Sequence, residues 1–270
     1  MGVDRLDLRA RLVGFLFFLP FLLSVLAGSP YSVIGMGLAG FWVCYEVSSL
    51  LGVGRTVGRR RASMLALMGL FPLPILVNTA ITSSLVAGGV GFALIACALG
   101  ILKTKEWVFV LLICAALVSL SYVSMHPLGI QMLLSLALII SACDIGAYFF
   151  GRLIGGPKLA PSLSPSKTWA GSIGGIGCAL IAAAFLYYFL VRLPLSNPEL
   201  LFVLLIAILS QIGDLFESSM KRRLGIKDSG RFVPGHGGAL DRFDGYLTSV
   251  PVAAIMLHFE IPLIANLATL

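Results

Sequence analysis

Apolar stretches of about 20 residues recur along the chain, and they constrain its fold more than any other feature. A helix needs about 20 such residues to cross a hydrocarbon layer about 30 Å thick. Of the 270 residues, 59% are hydrophobic and only 11% are charged, which leaves too little polar surface for the exterior of a soluble protein. We therefore predict an all-α fold, a polytopic transmembrane helix bundle.

Nine candidate spans follow from these stretches. They cover residues 12–28, 31–53, 63–82, 83–102, 107–124, 128–150, 169–192, 199–216 and 246–265. The first also has the features of a signal peptide, since basic residues precede it and Ala27-Gly28-Ser29 follow it. A retained helix is favoured, because keeping it makes the downstream charge pattern consistent.

The basic residues predict the orientation of this bundle. Of the 19 Lys and Arg residues, Arg192 alone lies on one side and the other 18 lie on the opposite side. Cationic loops stay in the cytoplasm, so we expect the N-terminus inside and the C-terminus outside, in a multi-pass protein of the cell membrane. The net charge of +7 is then a topology signal and part of a site, and it does not indicate nucleic-acid binding.

Two of the predicted cytoplasmic loops are long and rich in Gly, Pro, Ser and cations: 151–168 and 217–245. Long loops in a compact protein are usually functional. Acidic residues lie within or beside the neighbouring spans: Asp144, Asp214, Glu217, Asp241 and Asp244. Because carboxylates are costly in lipid, they are candidates for function. Structural pairing with Lys or Arg is the alternative.

Clustered carboxylates beside many cations indicate a metal ion and a polyphosphate. Mg²⁺ prefers carboxylate oxygens, water and substrate phosphates as ligands, and the backbone of Gly235, Gly237 and Gly238 can approach phosphate oxygens closely. Two familiar phosphate motifs are excluded. The G-x-G-x-x-G string at 35–40 lies inside an apolar span and is interpreted as a helix-packing surface, while Ser164–Thr168 lacks the glycines of a P-loop.

Seven segments in and beside these loops carry specific motifs: Ser218–Arg222, Lys227–Gly230, Pro234–Gly238, Asp241–Asp244, Asp144–Arg152, Ser164–Thr168 and Gly213–Ser218. Together they resemble the motifs of the phosphatidate cytidylyltransferases, also called CDP-diacylglycerol synthases. The resemblance is close over about 140–245. We therefore divide the chain into an N-terminal membrane region, 1–125, and a catalytic membrane region, 126–270.

The resemblance implies that CTP and phosphatidic acid react to give CDP-diacylglycerol and pyrophosphate, with Mg²⁺ as cofactor and a second cation left open. The predicted metal ligands are Asp144, Asp214, Asp241 and Asp244. The predicted phosphate-binding catalytic residues are Lys167, Lys221, Arg222 and Lys227, with His236 either protonating the leaving group or hydrogen-bonding pyrophosphate. The cofactor-binding candidates are Ser166, Gly237, Gly238 and Arg242.

Alternatives remain open. Another CTP-dependent membrane lipid enzyme, such as a polyprenol kinase, would use similar residues, and a transporter would place its acids near the midplane rather than at one face. Glycines 171, 174, 175 and 177 permit either close helix packing or a lateral gap for a lipid. Glu46 is either a hydrogen-bonding group inside the bundle or a contributor to the cavity. Membrane lipids are the expected surroundings, and a homo-oligomer is left open.

Overall fold

The computed structural model describes residues 23, 42–43, 46, 104–191, 197–226, 229, 238 and 240–259. Predicted spans one to four and the 35–40 string therefore lie almost entirely outside the described residues. The chain divides into two compact units, Met1–Met125 with Met220–Phe243, and His126–Ser219 with Asp244–Leu270. The predicted division into 1–125 and 126–270 stays a prediction.

The described elements are mainly helices. They are α1 (Thr104–Met125), α2 (Gly129–Leu153), β1 (Lys158–Ala160), β2 (Ser164–Thr168), α3 (Trp169–Leu186), a π-helical segment (Tyr187–Val191), α4 (Asn197–Arg223), α5 (Leu240–Phe243) and α6 (Tyr246–His258). Among the described residues, three helical stretches are long and apolar enough to cross a membrane: Gly129–Leu153, Trp169–Phe189 and Asn197–Arg223. The mainly helical fold is thus confirmed for this part of the chain, with three candidate membrane spans. The count of nine spans and the orientation stay predictions.

Close packing of α2 on α3 forms the core of the second unit. Gly171, Gly175, Ala179 and Ala183 are buried at intervals of four residues, which is one face of α3. A Cβ added at Gly175 would lie 2.6 Å from the Cys143 carbonyl oxygen, and one added at Gly171 would lie 2.6 Å from that of Ala147. These two glycines therefore serve close helix packing rather than a lateral gap.

The predicted loop 151–168 contains an antiparallel hairpin that the all-α prediction did not include. Lys158 pairs with Thr168, and Ala160 pairs with Ser164. Gly155 and Gly156 precede the hairpin at φ 68° and 90°, values that side chains with a Cβ rarely adopt. Thr168 ends the hairpin in an extended conformation, and its hydroxyl accepts a 3.1 Å hydrogen bond from the Gly171 N–H. This N-cap starts α3 beside the hairpin.

Helix α4 extends beyond the predicted span 199–216 and ends in a glycine cap. The Gly225 N–H donates to the Arg222 carbonyl at 3.1 Å, and the Ile226 N–H donates to the Lys221 carbonyl at 3.0 Å. Gly225 has φ 71°, so the three features form a Schellman motif. A single continuous helix therefore contains both the apolar stretch and the acidic and basic residues that follow it.

Candidate active site

A cavity of about 420 Å³ lies within the second unit, at the N-terminal end of α3. It is lined by Asp144, Ala147, Tyr148, Gly151, Arg152, Leu159, Ser166, Lys167, Thr168, Gly171, Ser172, Gln211 and Asp214. Helices α2, α3 and α4 and both strands of the hairpin contribute these residues. Four predicted site residues, Asp144, Ser166, Lys167 and Asp214, are therefore brought together in one cavity.

Lys167 forms an ion pair with Asp214 across this cavity. The Lys167 ammonium contacts Oδ2 of Asp214, and their side chains are 23% and 31% exposed. The hairpin supplies the lysine and α4 supplies the aspartate. Because the pair is partly solvated, an anionic ligand can compete with Asp214 for the lysine.

Gln211 links three helices beside the ion pair, and sequence reasoning missed it. Its amide nitrogen donates to the Ser172 carbonyl at 3.0 Å and to the Cys143 sulfur at 3.2 Å. Its amide oxygen accepts a hydrogen bond from the Ser172 hydroxyl. The signal in the sequence was a polar amide within an apolar helix, three residues before Asp214. These bonds fix Cys143, which precedes Asp144 on α2, relative to Gln211, which lies one turn before Asp214 on α4.

Three carboxylates of the second unit converge on one point. Asp214, Glu217 and Asp244 each offer an oxygen, and these oxygens all lie within 4.8 Å of one another. Glu217 is fully buried, whereas Asp214 and Asp244 are partly exposed. An all-carboxylate set of this kind has the donor chemistry that Mg²⁺ prefers, so the residues present fit a magnesium ion. Glu217 was not among the predicted ligands, although its i,i+3 spacing from Asp214 was the available signal.

Gly213 allows the start of the last described helix to approach α4. A Cβ at Gly213 would overlap the backbone carbonyl oxygen of Asp244 and lie 2.9 Å from the Thr248 hydroxyl. The Thr248 hydroxyl also donates to the Leu209 carbonyl. The absence of a side chain at Gly213 thus lets Asp244 join the carboxylate cluster.

Asp241 belongs to the first unit, where nitrogen donors surround its carboxylate. It accepts from the Lys221 ammonium at 3.0 Å, from the Ser229 N–H at 3.1 and 3.2 Å, and from the Gly238 N–H at 2.9 Å. The structure thereby brings together three predicted site residues: Lys221, Gly238 and Asp241. The same carboxylate ties the end of α4 to backbone that precedes α5.

Glu46 also belongs to this unit and is buried. Its Oε2 accepts a 2.7 Å hydrogen bond from the Leu240 N–H at the start of α5. A Cβ at Gly238 would overlap Oε1 of Glu46 and the Ser229 hydroxyl. Of the two readings left open for Glu46, the structure supports the hydrogen-bonding one.

The remaining predicted residues are exposed or undescribed. Arg222 donates to the Ile226 carbonyl at 3.3 Å near the end of α4, and Arg242 is exposed on α5. Lys227, His236 and Gly237 lie outside the described residues. Their predicted roles stay predictions.

Comparison with known proteins gives a consistent result. The sequence profile described as the cytidylyltransferase family matches residues 9–260. A protein of Brucella suis biovar 1 (strain 1330), named phosphatidate cytidylyltransferase, is 48% identical over 134 residues, which are 50% of this chain and 48% of the relative. Proteins of the same name from Staphylococcus haemolyticus and Staphylococcus aureus (strain COL) are 46% and 45% identical over 130 residues, 48% of this chain and 50% of each relative. The chain thus spans about half the length of the curated relatives it matches.

Proposed function

Because the chain belongs to the cytidylyltransferase family, we propose that it transfers the cytidylyl group of CTP to phosphatidic acid. The products are CDP-diacylglycerol, a precursor for phospholipid synthesis, and pyrophosphate. The observation that carries this proposal is the cavity that joins Asp144, Lys167 and Asp214 beside three helices of membrane-spanning length. The names of the relatives supply the substrate class.

The chemistry requires positioning more than a general base. The phosphate of phosphatidic acid has a second pKa of about 6 and is largely ionised at neutral pH. One of its oxygens attacks the α-phosphorus of CTP, and pyrophosphate leaves in line. The main obstacle is repulsion between two polyanions, so catalysis consists largely of orientation and charge stabilisation.

Residues of the cavity can meet this requirement. Lys167 would exchange its contact with Asp214 for a phosphate oxygen of CTP. The N-terminal end of α3, capped by Thr168 and lying at the cavity, favours negative charge through its helix dipole. Ser166 adds a hydroxyl that can donate to the same phosphates. In the first unit, Lys221 and Arg222 stay predicted phosphate ligands, together with Lys227 and His236.

Asp214, Glu217 and Asp244 are the residues that would hold Mg²⁺. When bound there, the ion would offset negative charge on the CTP phosphates. Asp144 stays a predicted ligand of this ion or of a second cation. For Asp241, which the sequence also predicted as a metal ligand, the nitrogen donors around its carboxylate favour a structural role instead.

Radiolabelled CTP tests the reaction directly. Protein purified in detergent is incubated with Mg²⁺, phosphatidic acid and CTP labelled at either the α- or the γ-phosphate, and the lipids are separated by chromatography. Cytidylyl transfer puts the α label into lipid and releases the γ label as pyrophosphate. A lipid kinase would do the opposite, releasing CDP and placing the γ label in lipid. Protein that labels no lipid from either nucleotide would refute the proposal.

We also propose that the protein has nine spans in the cell membrane, with the site facing the cytoplasm, where CTP is available. The one-sided distribution of Lys and Arg supports this orientation. Cysteines introduced as Gly58→Cys and Leu195→Cys in an otherwise cysteine-free chain should react with a membrane-impermeant reagent from opposite sides of sealed vesicles. Labelling of both from one side would contradict the nine-span arrangement.

A further inference from the structure

Arg152 and Tyr148 form a polar pair on the wall of the cavity. Nη1 of Arg152 donates a 2.8 Å hydrogen bond to the Tyr148 hydroxyl one turn earlier on α2. Both residues line the cavity that contains Asp144, Lys167 and Asp214, and both side chains are exposed. The sequence motifs assigned a role to neither residue. The tyrosine holds the guanidinium at the cavity and leaves its other N–H groups available.

The two cations of the cavity differ in how their charge is balanced. Lys167 is paired with the Asp214 carboxylate, whereas the partner of Arg152 is a neutral hydroxyl. Within the part of the chain that the structure describes, no carboxylate lies within salt-bridge distance of Arg152. Its positive charge is therefore available to an anionic ligand without the breaking of an ion pair.

Arg152 also lies where the polar cavity meets an apolar surface. Asp144, Tyr148 and Arg152 follow one another at intervals of four along the cavity side of α2. The adjacent stripe, Ile145, Phe149 and Leu153, is 70%, 56% and 68% exposed. On a helix of membrane-spanning length, exposed apolar side chains of this kind face lipid acyl chains.

The same boundary exists on α3. Thr168 and Ser172 line the cavity, while the neighbouring Trp169 and Ile173 are 54% and 67% exposed. An exposed tryptophan at the end of a membrane helix is typical of the headgroup level of a bilayer. The cavity is thus bordered on two helices by surfaces suited to acyl chains.

We propose that Arg152, oriented by Tyr148, binds the phosphate of the lipid substrate, with the acyl chains lying along the exposed stripes of α2 and α3. This inference rests on the proposed function and assigns its lipid-phosphate site. A guanidinium binds phosphate through two parallel N–H···O hydrogen bonds, and the bond to the Tyr148 hydroxyl orients the plane of the Arg152 guanidinium. The competing explanation is a structural cation that stabilises the C-terminal end of α2 and extends its side chain to the membrane surface.

Steady-state kinetics in mixed micelles separates these explanations. Phosphatidate is varied at saturating CTP, and CTP is then varied at saturating phosphatidate, for Arg152→Gln, Arg152→Lys, Tyr148→Phe and the control Arg223→Gln. Arg223 is an exposed arginine at the end of α4 and is matched in charge and helix position. We expect Arg152→Gln to raise KM for phosphatidate about tenfold or more, as the loss of a charge-assisted hydrogen bond predicts. Arg152→Lys and Tyr148→Phe should give smaller increases, of about threefold, because each keeps part of the interaction.

KM for CTP should stay within about twofold of wild type in all four variants, and so should KM for phosphatidate in the control. A rise in KM for CTP alone would assign Arg152 to the nucleotide and overturn the proposal. Unchanged kinetics with a lowered melting temperature would establish the structural role instead.

A binding measurement keeps this test independent of turnover. Dioctanoyl phosphatidic acid is titrated calorimetrically into detergent-solubilised protein without CTP, with dioctanoyl phosphatidylcholine as the control lipid. Wild-type protein should bind the phosphatidate saturably, and Arg152→Gln should weaken that binding about tenfold. Equal binding by wild type and variant would refute the Arg152 site even if CDP-diacylglycerol is made. Loss of binding in the variant would support the site even if the wild type proves to catalyse a different reaction.

Discussion

Asp241 and Asp244 are three residues apart in the chain, yet the structure gives them opposite surroundings. The Asp241 carboxylate accepts from two backbone N–H groups and the Lys221 ammonium. The Asp244 carboxylate faces the carboxylates of Asp214 and Glu217. A carboxylate with several donors is stabilised as it stands. Converging carboxylates, of which Asp214 also contacts the Lys167 ammonium, bring negative charges together that a divalent cation can offset. The comparison teaches that one acidic motif can combine a residue that organises backbone with a residue that lies in a carboxylate cluster, which we propose holds Mg²⁺.

The largest expected effect is that of Asp244→Asn. The amide keeps the size of the side chain and still accepts the Gly245 N–H, which is 2.6 Å from Oδ1. It removes one charge from the cluster, so we expect turnover to fall about 100-fold and the Mg²⁺ concentration for half-maximal activity to rise. The melting temperature without Mg²⁺ should change little, because the amide keeps the hydrogen bond from the Gly245 N–H. An active but destabilised variant would contradict the metal role.

Asp241→Asn tests the other half of the comparison. The variant loses the ion pair with Lys221, whose side chain is 15% exposed, and weakens the bonds from Ser229 and Gly238. We expect a loss of about 2 kcal/mol in the free energy of unfolding, typical for hydrogen bonds to a charged group. Thermal unfolding in detergent measures it.

The Mg²⁺ dependence of Asp241→Asn tests whether Asp241 and Asp244 differ in role as proposed. We expect its half-maximal Mg²⁺ concentration to match that of wild type, unlike that of Asp244→Asn. A comparable increase in both variants would make Asp241 a metal ligand as well, as the sequence predicted, and the proposed division of roles would be wrong.

Gly213→Ala probes the backbone approach that brings Asp244 into the cluster. The added methyl group overlaps the Asp244 carbonyl oxygen, so α6 must move away from α4. We expect about tenfold lower activity, because small displacements of metal ligands are costly to catalysis. Gly177→Ala is the matched control, since a Cβ there meets nothing within 4 Å. Equal activity of the two variants would show that this approach does not position Asp244.

Glu46→Gln should have the smallest effect. A glutamine oxygen can still accept the Leu240 N–H, so the free energy of unfolding should fall by about 1 kcal/mol or less, and Glu46→Ala should cost more. Turnover of Glu46→Gln should remain close to that of wild type. A loss of turnover without a loss of stability would instead make the Glu46 charge a contributor to the site.

Agreement between the predicted and observed elements is best for helices that a single apolar stretch of the sequence defines. The predicted span 128–150 corresponds to Gly129–Leu153, and 169–192 corresponds to α3 with its π-helical segment. Hydropathy fixes such helices because their length must match the bilayer. The hairpin within 151–168 was missed, because three- and five-residue strands in a Gly- and Pro-rich segment leave too short a pattern to detect.

The sequence by itself determined that this is a mainly helical membrane protein of the cytidylyltransferase family, since hydropathy and motif spacing are properties of the chain alone. It also indicated Asp144, Lys167 and Asp214 as site residues. Only the tertiary structure decided that Lys167 pairs with Asp214, that Glu217 completes the carboxylate cluster, and that Arg152 shares the cavity. Spacing along a helix fixes which face a side chain occupies. Which other element packs against that face depends on contacts between distant segments, such as those that the small residues at 171, 175 and 213 allow.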